Sequence, residues 1–301
     1  MRFPWDKELN EKTIKVLDLR QGFGEFEQYK LSKFPDNSVK FILKEDIESR
    51  FTSVPTIVVR TRLLSNDDII ALALVKDVID NKYVNVKTIL KIDYMMYQQD
   101  DRRFKTEESF GLKIISNFIN SMKWDKVEIF HPHSDKVEFI DNCIIRDNQS
   151  FIEDCIQDLR VGKEIFQDST GLKPEWIIPD AGAFKTQFKQ IQNIEYPSFI
   201  SCMKSRNHTT GEIETIVPAG NLYRKDCFIV DDICLGGRTF MQIAQKLREK
   251  NCGELYLIIS HGVFNQGIEH LLEYFDYIYT TDSICNIEHE KLKIYKLNNY
   301  D

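Results

Sequence analysis

Apolar residues fall along this chain in two alternating rhythms. Short runs rich in β-branched residues recur at Thr56-Ile57-Val58-Val59-Arg60, 87–92, 126–130, Trp176-Ile177-Ile178, Cys227-Phe228-Ile229-Val230 and 255–259, and each predicts a strand. Uninterrupted apolar runs such as Phe228-Ile229-Val230 are what a parallel sheet covered on both faces requires. Between the runs the apolar positions shift to helical spacing. Asn66-Asp67-Asp68 caps one predicted helix through Ile69, Leu72 and Val75, and residues 106–109 open another through Leu112, Ile115, Phe118 and Ile119. A third follows Gly236-Gly237 through Phe240, Ile243, Ala244 and Leu247. Strands alternating with helices predict an α/β fold with parallel sheets. The polar stretch 141–149 is the best boundary, giving two α/β units over 1–143 and 144–301.

A length of 301 residues suffices for two hydrophobic cores. With 42% hydrophobic and 29% charged residues the chain is neither disordered nor fibrous. A net charge of -7 disfavours nonspecific nucleic-acid binding, which needs a basic face. An anionic small molecule would need local cations or a metal against that background. The 7 cysteines stand singly, without a CxxC pair, as suits free thiols in a reducing compartment. No apolar leader is visible in MRFPWDKELNEK and no run is long enough to span a bilayer, so the expected location is the cytoplasm.

The segment richest in chemistry is Asp231-Asp232-Ile233-Cys234-Leu235-Gly236-Gly237-Arg238-Thr239, directly after the apolar run ending at Val230. Two adjacent carboxylates suit the vicinal hydroxyls of a ribose. The loop's backbone N–H groups, with the positive end of the following helix, suit a phosphate. Gly236 and Gly237 permit close approach, and Thr239 adds a hydroxyl. This pattern points to a ribose phosphate without naming a reaction.

Further elements follow in order: Ser65-Asn66-Asp67, Tyr94-Met95-Met96-Tyr97-Gln98-Gln99-Asp100-Asp101-Arg102-Arg103, His131-Pro132-His133-Ser134, Pro179-Asp180-Ala181-Gly182, Lys204-Ser205-Arg206 and Ser260-His261-Gly262-Val263-Phe264. Together with the Asp231 loop, which is similar to the pentose loop of phosphoribosyltransferases, they resemble the ribose-phosphate diphosphokinase (phosphoribosyl pyrophosphate synthetase) family over nearly the whole length. The resemblance implies two tandem phosphoribosyltransferase-like (Rossmann-like) domains, the first contributing to ATP and magnesium binding and the second binding ribose phosphate. It also implies pyrophosphoryl transfer from ATP to an anomeric hydroxyl with Mg²⁺ as cofactor. His133 and Asp180 would hold or orient magnesium-ATP, and Lys204 and Arg206, in a mobile polar loop, would close on the triphosphate with His133 as catalytic residues. Asp231, Asp232, Leu235, Gly236, Gly237, Arg238 and Thr239 would hold the ribose phosphate. Phe34, Asp36 and Ser38, with Gln99, Asp100, Asp101 and Arg102, would bind ATP across a subunit boundary, which implies a homo-oligomer, dimer or hexamer, with shared sites.

Three departures alter this picture. Ser38 stands where the family has Glu, Gln99-Asp100 replaces Arg-Gln, and Leu235 replaces an Asp at the head of the phosphate loop. An apolar loop head suits an acceptor whose 5-phosphate is already substituted, such as ADP-ribose, which phage relatives of the family pyrophosphorylate for NAD reconstitution. Ribose 5-phosphate remains the first acceptor. A non-catalytic nucleotide-binding paralogue is the rival reading, set against the retained set His133, Asp180, Lys204, Arg206, Asp231 and Asp232.

Overall fold

Each strand expected from an apolar run lies in a parallel sheet, and most extend beyond the run that announces them. The computed structural model of the chain describes residues 14–44, 56–162, 174–180, 182, 199–206 and 213–300, with backbone alone for 160–162, 204–206 and 213–214. The stretch read for a leader and the tip of the Lys204 segment, 207–212, lie outside the described residues.

The first unit spans Met1–Arg146. It contains β1 (Ile14–Asp18), a small antiparallel sheet of β2 (Gly24–Glu25), β3 (Tyr29–Lys33) and β4 (Val39–Leu43), then β5 (Thr56–Leu63), α1 (Asn66–Lys82), β6 (Lys87–Met95), α2 (Gly111–Ser121), β7 (Lys126–Phe130) and β8 (Cys143–Arg146). The main sheet runs β1-β5-β6-β7-β8 with every pair parallel. Because the chain steps steadily in one direction, right-handed crossovers put α1 and α2 on one face. There Leu72 and Ile79 of α1 and Leu112 and Ile119 of α2 share a core with Ile57, Val59, Leu90 and Val127. Burying each such side chain contributes about 1.5–3 kcal/mol. Fully buried Asp93 accepts from Arg60 Nε at 2.8 Å and Arg20 Nη1 at 3.2 Å, a charged pairing that no periodicity announces.

Two helix starts differ from expectation. Ser65, one residue before the expected cap, forms a reciprocal capping box with Asp68. The second helix begins at Gly111, and residues 106–109 do not cap it; Asp100 Oδ2 accepts the Gly111 N–H at 2.7 Å and the Ser109 hydroxyl at 3.0 Å. A cap supplied from the preceding loop cannot be seen in local sequence. Since β8 pairs with β7, residues 143–146 belong to the first sheet, and the units divide at Arg146/Asp147 rather than 143/144.

The second unit, Asp147–Asp301, contains α3 (Gln149–Gly162), β9 (Glu175–Ile178), β10 (Phe199–Ser201), an antiparallel ribbon of β11 (Met203–Arg206) and β12 (Ile213–Ile216), then β13 (Cys227–Cys234), α4 (Arg238–Glu249), β14 (Leu255–Gly262), α5 (Glu269–Leu272), β15 (Tyr277–Thr281) and β16 (Leu292–Tyr295). Its parallel sheet runs β10-β9-β13-β14-β15-β16. Phe151 and Ile152 of α3 pack with Trp176, Phe228 and Val230 in one core, while Phe240, Ile243 and Leu247 of α4 pack with Ile177, Ile229 and Leu257 in another. Both faces are therefore covered, which is why Phe228-Ile229-Val230 carries no polar residue. From β9 the chain leaves to β10 on one side, and from β13 it leaves to β14 on the other. The crevice between the carboxyl ends of β9 and β13 is thus a topological switch point, where open α/β sheets bind ligands. Among the described residues no helix is long and apolar enough to cross a membrane.

Candidate functional site

The carboxylate pair sits at that switch point, but inside the strand rather than after it. β13 continues past Val230 through Cys234, with Asp231 opposite Ile259 and Ile233 opposite His261. Ladder pairing with β14 carries the strand past the two acids expected at its end, as far as Cys234. Asp231 Oδ1 accepts the Asp232 N–H at 2.9 Å. Burial pushes the Asp231 carboxyl well above the usual carboxylate range, and the Asp232 charge, a hydrogen bond with the Asp232 side chain and the more distant Asp180 push it the same way. Three acids therefore converge at the ends of β9 and β13, one of them inclined to keep a proton.

Behind the strand, Leu235-Gly236-Gly237 is tied down by its carbonyls. The Cys234 carbonyl accepts from the N–H groups of Val263 and Phe264 at 3.0 and 3.1 Å, and the Leu235 carbonyl from Asn265 N–H at 3.2 Å. His270 Nε2 lies 3.1 Å from the Gly236 carbonyl. In a trans peptide the N–H points opposite to the preceding carbonyl. The N–H groups of Leu235, Gly236 and Gly237 therefore all face away from the 263–270 segment, forming the concavity of amides that anions occupy. Gly237 is the N-cap of α4 at φ 71°, a left-handed conformation, and a Cβ there would lie 2.3 Å from Leu271 Cδ2. Leu235 is 38% exposed at the loop head, Arg238 is exposed and Thr239 half-buried.

In the first unit, exposed His133 follows β7. Its backbone N–H donates to Gln98 Oε1 at 2.7 Å, while Gln98 Nε2 donates to the Met95 carbonyl at the end of β6. Asp101 accepts from Ser134 Oγ at 2.9 Å and Arg102 Nε at 2.7 Å, and its carbonyl accepts from Lys136 Nζ at 2.7 Å. The Arg102 hydrogen bond holds the Asp101 carboxyl below its ordinary range. Two strand-end loops, 97–102 and 131–136, are thereby fastened into one surface. Gln98, Ser134 and Lys136 stand within or beside the motifs read from the sequence but carried no assigned role there. Their signal was adjacency to Gln99 and His133, but only the fold shows that they join the loops. Asp100 is occupied in capping α2, and Gln99 is exposed.

Phe34, Asp36 and Ser38 form the turn between β3 and β4. Asp36 Oδ1 accepts from Ser38 N–H at 3.0 Å and Ser38 Oγ at 2.6 Å, and the Ser38 hydroxyl lowers the Asp36 pKa. Phe34 is 48% exposed rather than part of the core, with Lys40 Nζ 5.2 Å from its ring centroid.

Where it is described, the Lys204 segment is strand. Lys204 and Arg206 lie on β11, paired across the ribbon with Thr215 and Ile213.

Among the described residues no group of three or more His, Cys, Asp or Glu side chains is gathered tightly enough to hold a metal ion. Asp180 Oδ1 accepts the Gly182 N–H at 2.9 Å. The carboxylate oxygens of Asp180, Asp231 and Asp232 are of the type that Mg²⁺ accepts while keeping waters, and the Asp232 and Asp180 charges add to burial in raising the Asp231 pKa.

Parallel-sheet units in tandem, the second feeding a strand-borne carboxylate pair into a glycine loop at a helix start, define the phosphoribosyltransferase-like class of fold. No family model matches the chain. It is similar to the ribose-phosphate pyrophosphokinase of Cereibacter sphaeroides, 25% identical over 211 residues that cover 67% of this chain and 57% of that protein. The ribose-phosphate pyrophosphokinase of Fusobacterium nucleatum is 23% identical over 301 residues, covering 98% of this chain and 88% of that protein. Among solved structures, the phosphoribosylpyrophosphate synthetase from Mycobacterium smegmatis superposes with a TM-score of 0.75 over 90% of this chain and 87% of that one. At 14% identity this is a likeness of fold. By sequence the chain is similar to ribose-phosphate pyrophosphokinases, and by fold to a phosphoribosylpyrophosphate synthetase.

Proposed function

We propose that the chain transfers the β,γ-pyrophosphoryl group of ATP to the anomeric hydroxyl of ribose 5-phosphate, giving phosphoribosyl pyrophosphate and AMP. The hydroxyl oxygen forms a bond to the β-phosphorus, the bond from that phosphorus to the α-phosphate oxygen breaks, and the hydroxyl proton passes to solvent. The observation that carries this reading is the convergence at one switch point of Asp180, Asp231 and Asp232 with a loop whose amides face outward. In this reading Asp231 and Asp232 accept from the ribose diol, and Leu235, Gly236, Gly237, Arg238 and Thr239 hold the 5-phosphate. The first unit brings the nucleotide, with His133 and the Asp101–Arg102 pair toward the phosphates. Gln99, Asp100 and the turn of Phe34, Asp36 and Ser38 lie toward the base, in a homo-oligomer that shares this site between subunits. Lys204 and Arg206 neutralise charge on the transferring group. Asp180 of the second unit would hold magnesium and His133 is the ligand candidate of the first unit; the ion would supply charge neutralisation on the triphosphate.

One observation favours a second acceptor. Leu235 exposes apolar surface at the loop head, where an acidic side chain would repel a substituted phosphate. ADP-ribose presents the same ribose with a free anomeric hydroxyl and a longer phosphate tail. Incubating the protein with ATP and magnesium plus each sugar separately, and measuring AMP release, decides between them. Release with ribose 5-phosphate supports the first reading and release with ADP-ribose alone supports the second. No release with either, while ATP still binds, supports a non-catalytic nucleotide-binding protein.

A further inference from the structure

Short helix α5 makes two contacts with the phosphate loop that nothing in the motif anticipates. Leu271 lies beneath Gly237, at 2.3 Å from where a Cβ would sit, so the loop is held against α5 at its third residue. His270 reaches the second residue, with Nε2 3.1 Å from the Gly236 carbonyl oxygen. A carbonyl only accepts, so the imidazole presents Nε2–H to it. The carbonyls of Cys234 and Leu235 are held by backbone N–H groups of 263–265 and that of Gly236 by this side chain. Of the three, the peptide joining Gly236 to Gly237 is therefore the one whose orientation depends on residue type. Two glycines in succession leave that peptide free to turn over, because neither has a Cβ to restrict it. If it turned, the Gly237 N–H would leave the amide concavity and a carbonyl oxygen would replace it, facing the anion.

We propose that His270 is a positioning residue of the phosphate loop, locking the Gly236–Gly237 peptide so that the Gly237 N–H stays directed at the acceptor's phosphate. The proposal rests on the ribose-phosphate reading of the site for its ligand, and on the loop geometry alone for its anion. Substitution should act on acceptor binding and leave the nucleotide side untouched.

The test compares wild type with H270A, H270N and H270Q, measuring ribose 5-phosphate affinity by calorimetry without ATP, then KM for each substrate and kcat. Glutamine puts an amide N–H near the position of Nε2, whereas asparagine is too short to reach the carbonyl. Losing one hydrogen bond of this kind predicts that H270A and H270N weaken ribose 5-phosphate binding about five- to tenfold, with KM for ATP changed less than about twofold and H270Q close to wild type. Should H270A fail to unfold cooperatively, the H270N–H270Q pair carries the comparison. Equal affinity in H270N and wild type, failure of H270Q to restore binding, or parallel losses for ATP would overturn the proposal. A wild type that binds no ribose 5-phosphate counts against the proposed function instead. The same variants titrated with inorganic phosphate then test His270 by itself, and an unchanged phosphate affinity in H270N overturns its role.

Discussion

Gln98 Oε1 accepts the backbone N–H of His133 at 2.7 Å, joining the loop after β6 to the loop after β7. Gln98 is buried and its amide also donates to the Met95 carbonyl, so one side chain fixes both strand ends. Replacing it by Ala leaves two polar groups without this partner, at a cost of about 1–3 kcal/mol. Q98A should lower the melting temperature by a few degrees, and its turnover at a temperature where it remains folded should fall more than that of variants of exposed Gln99. Thermal melts paired with steady-state assays check this, and equal activity of Q98A and wild type would remove His133 placement from the mechanism.

Asp231 links the site to pH. Its folded-state carboxyl is raised first by burial and then by Asp232, so the folded protein holds a proton there that the unfolded chain has released. Stability from this source is present below the ordinary carboxylate value and falls as pH rises through the window up to the raised pKa. D231N should therefore melt higher than wild type at neutral pH, with the difference shrinking toward acid, while sugar-dependent AMP release is lost. Melting curves of both proteins across that window test the sign. A D231N that is less stable than wild type at neutral pH contradicts the crowded-acid account.

Gly237 combines a φ of 71° with close approach to Leu271. Alanine there incurs backbone strain of about 1 kcal/mol or more and displaces Leu271. G237A should unfold at lower denaturant and bind ribose 5-phosphate at least about tenfold more weakly. Combined with L271A, which removes the clash, the total loss of stability should be smaller than the sum of the two single losses, while the affinity stays low. Denaturation midpoints and calorimetry measure the two separately.

Lys204 and Arg206 lie on β11, in register with Thr215 and Ile213 of β12. If they meet the transferring group, their contacts strengthen in the transition state. K204A should lower kcat by roughly a hundredfold with little change in ATP affinity. Equal losses in both would assign Lys204 to ground-state binding.

In the proposed function Leu235 helps to set the acceptor. L235D should reduce use of ADP-ribose relative to ribose 5-phosphate, because a carboxylate repels a second phosphate more than it disturbs a terminal one that keeps its amide contacts. The ratio of kcat/KM for the two sugars, wild type against variant, is the measure. A ratio unchanged by L235D would separate the loop head from acceptor choice.

Local chemistry settled much of this molecule. Apolar runs such as Phe228-Ile229-Val230 had to be buried strands, and Gly236-Gly237 had to start a helix. What lay beyond local reach was every feature made by partners distant in sequence. Asp231 and Asp232 lie within a strand because β14 pairs with Asp231, Ile233 and Cys234, and Lys204 lies on a strand because β12 pairs with it. Asp100 caps a helix 11 residues away, and Gln98 grips a loop 35 residues on. The amides of the phosphate loop face outward because residues 263–270 hold their carbonyls from behind. Propensity and periodicity are properties of neighbours along the chain, and they fix which segments form strands and helices. Which carbonyl accepts from which N–H across a sheet end is decided only when the chain closes on itself, and here that closure orients the site.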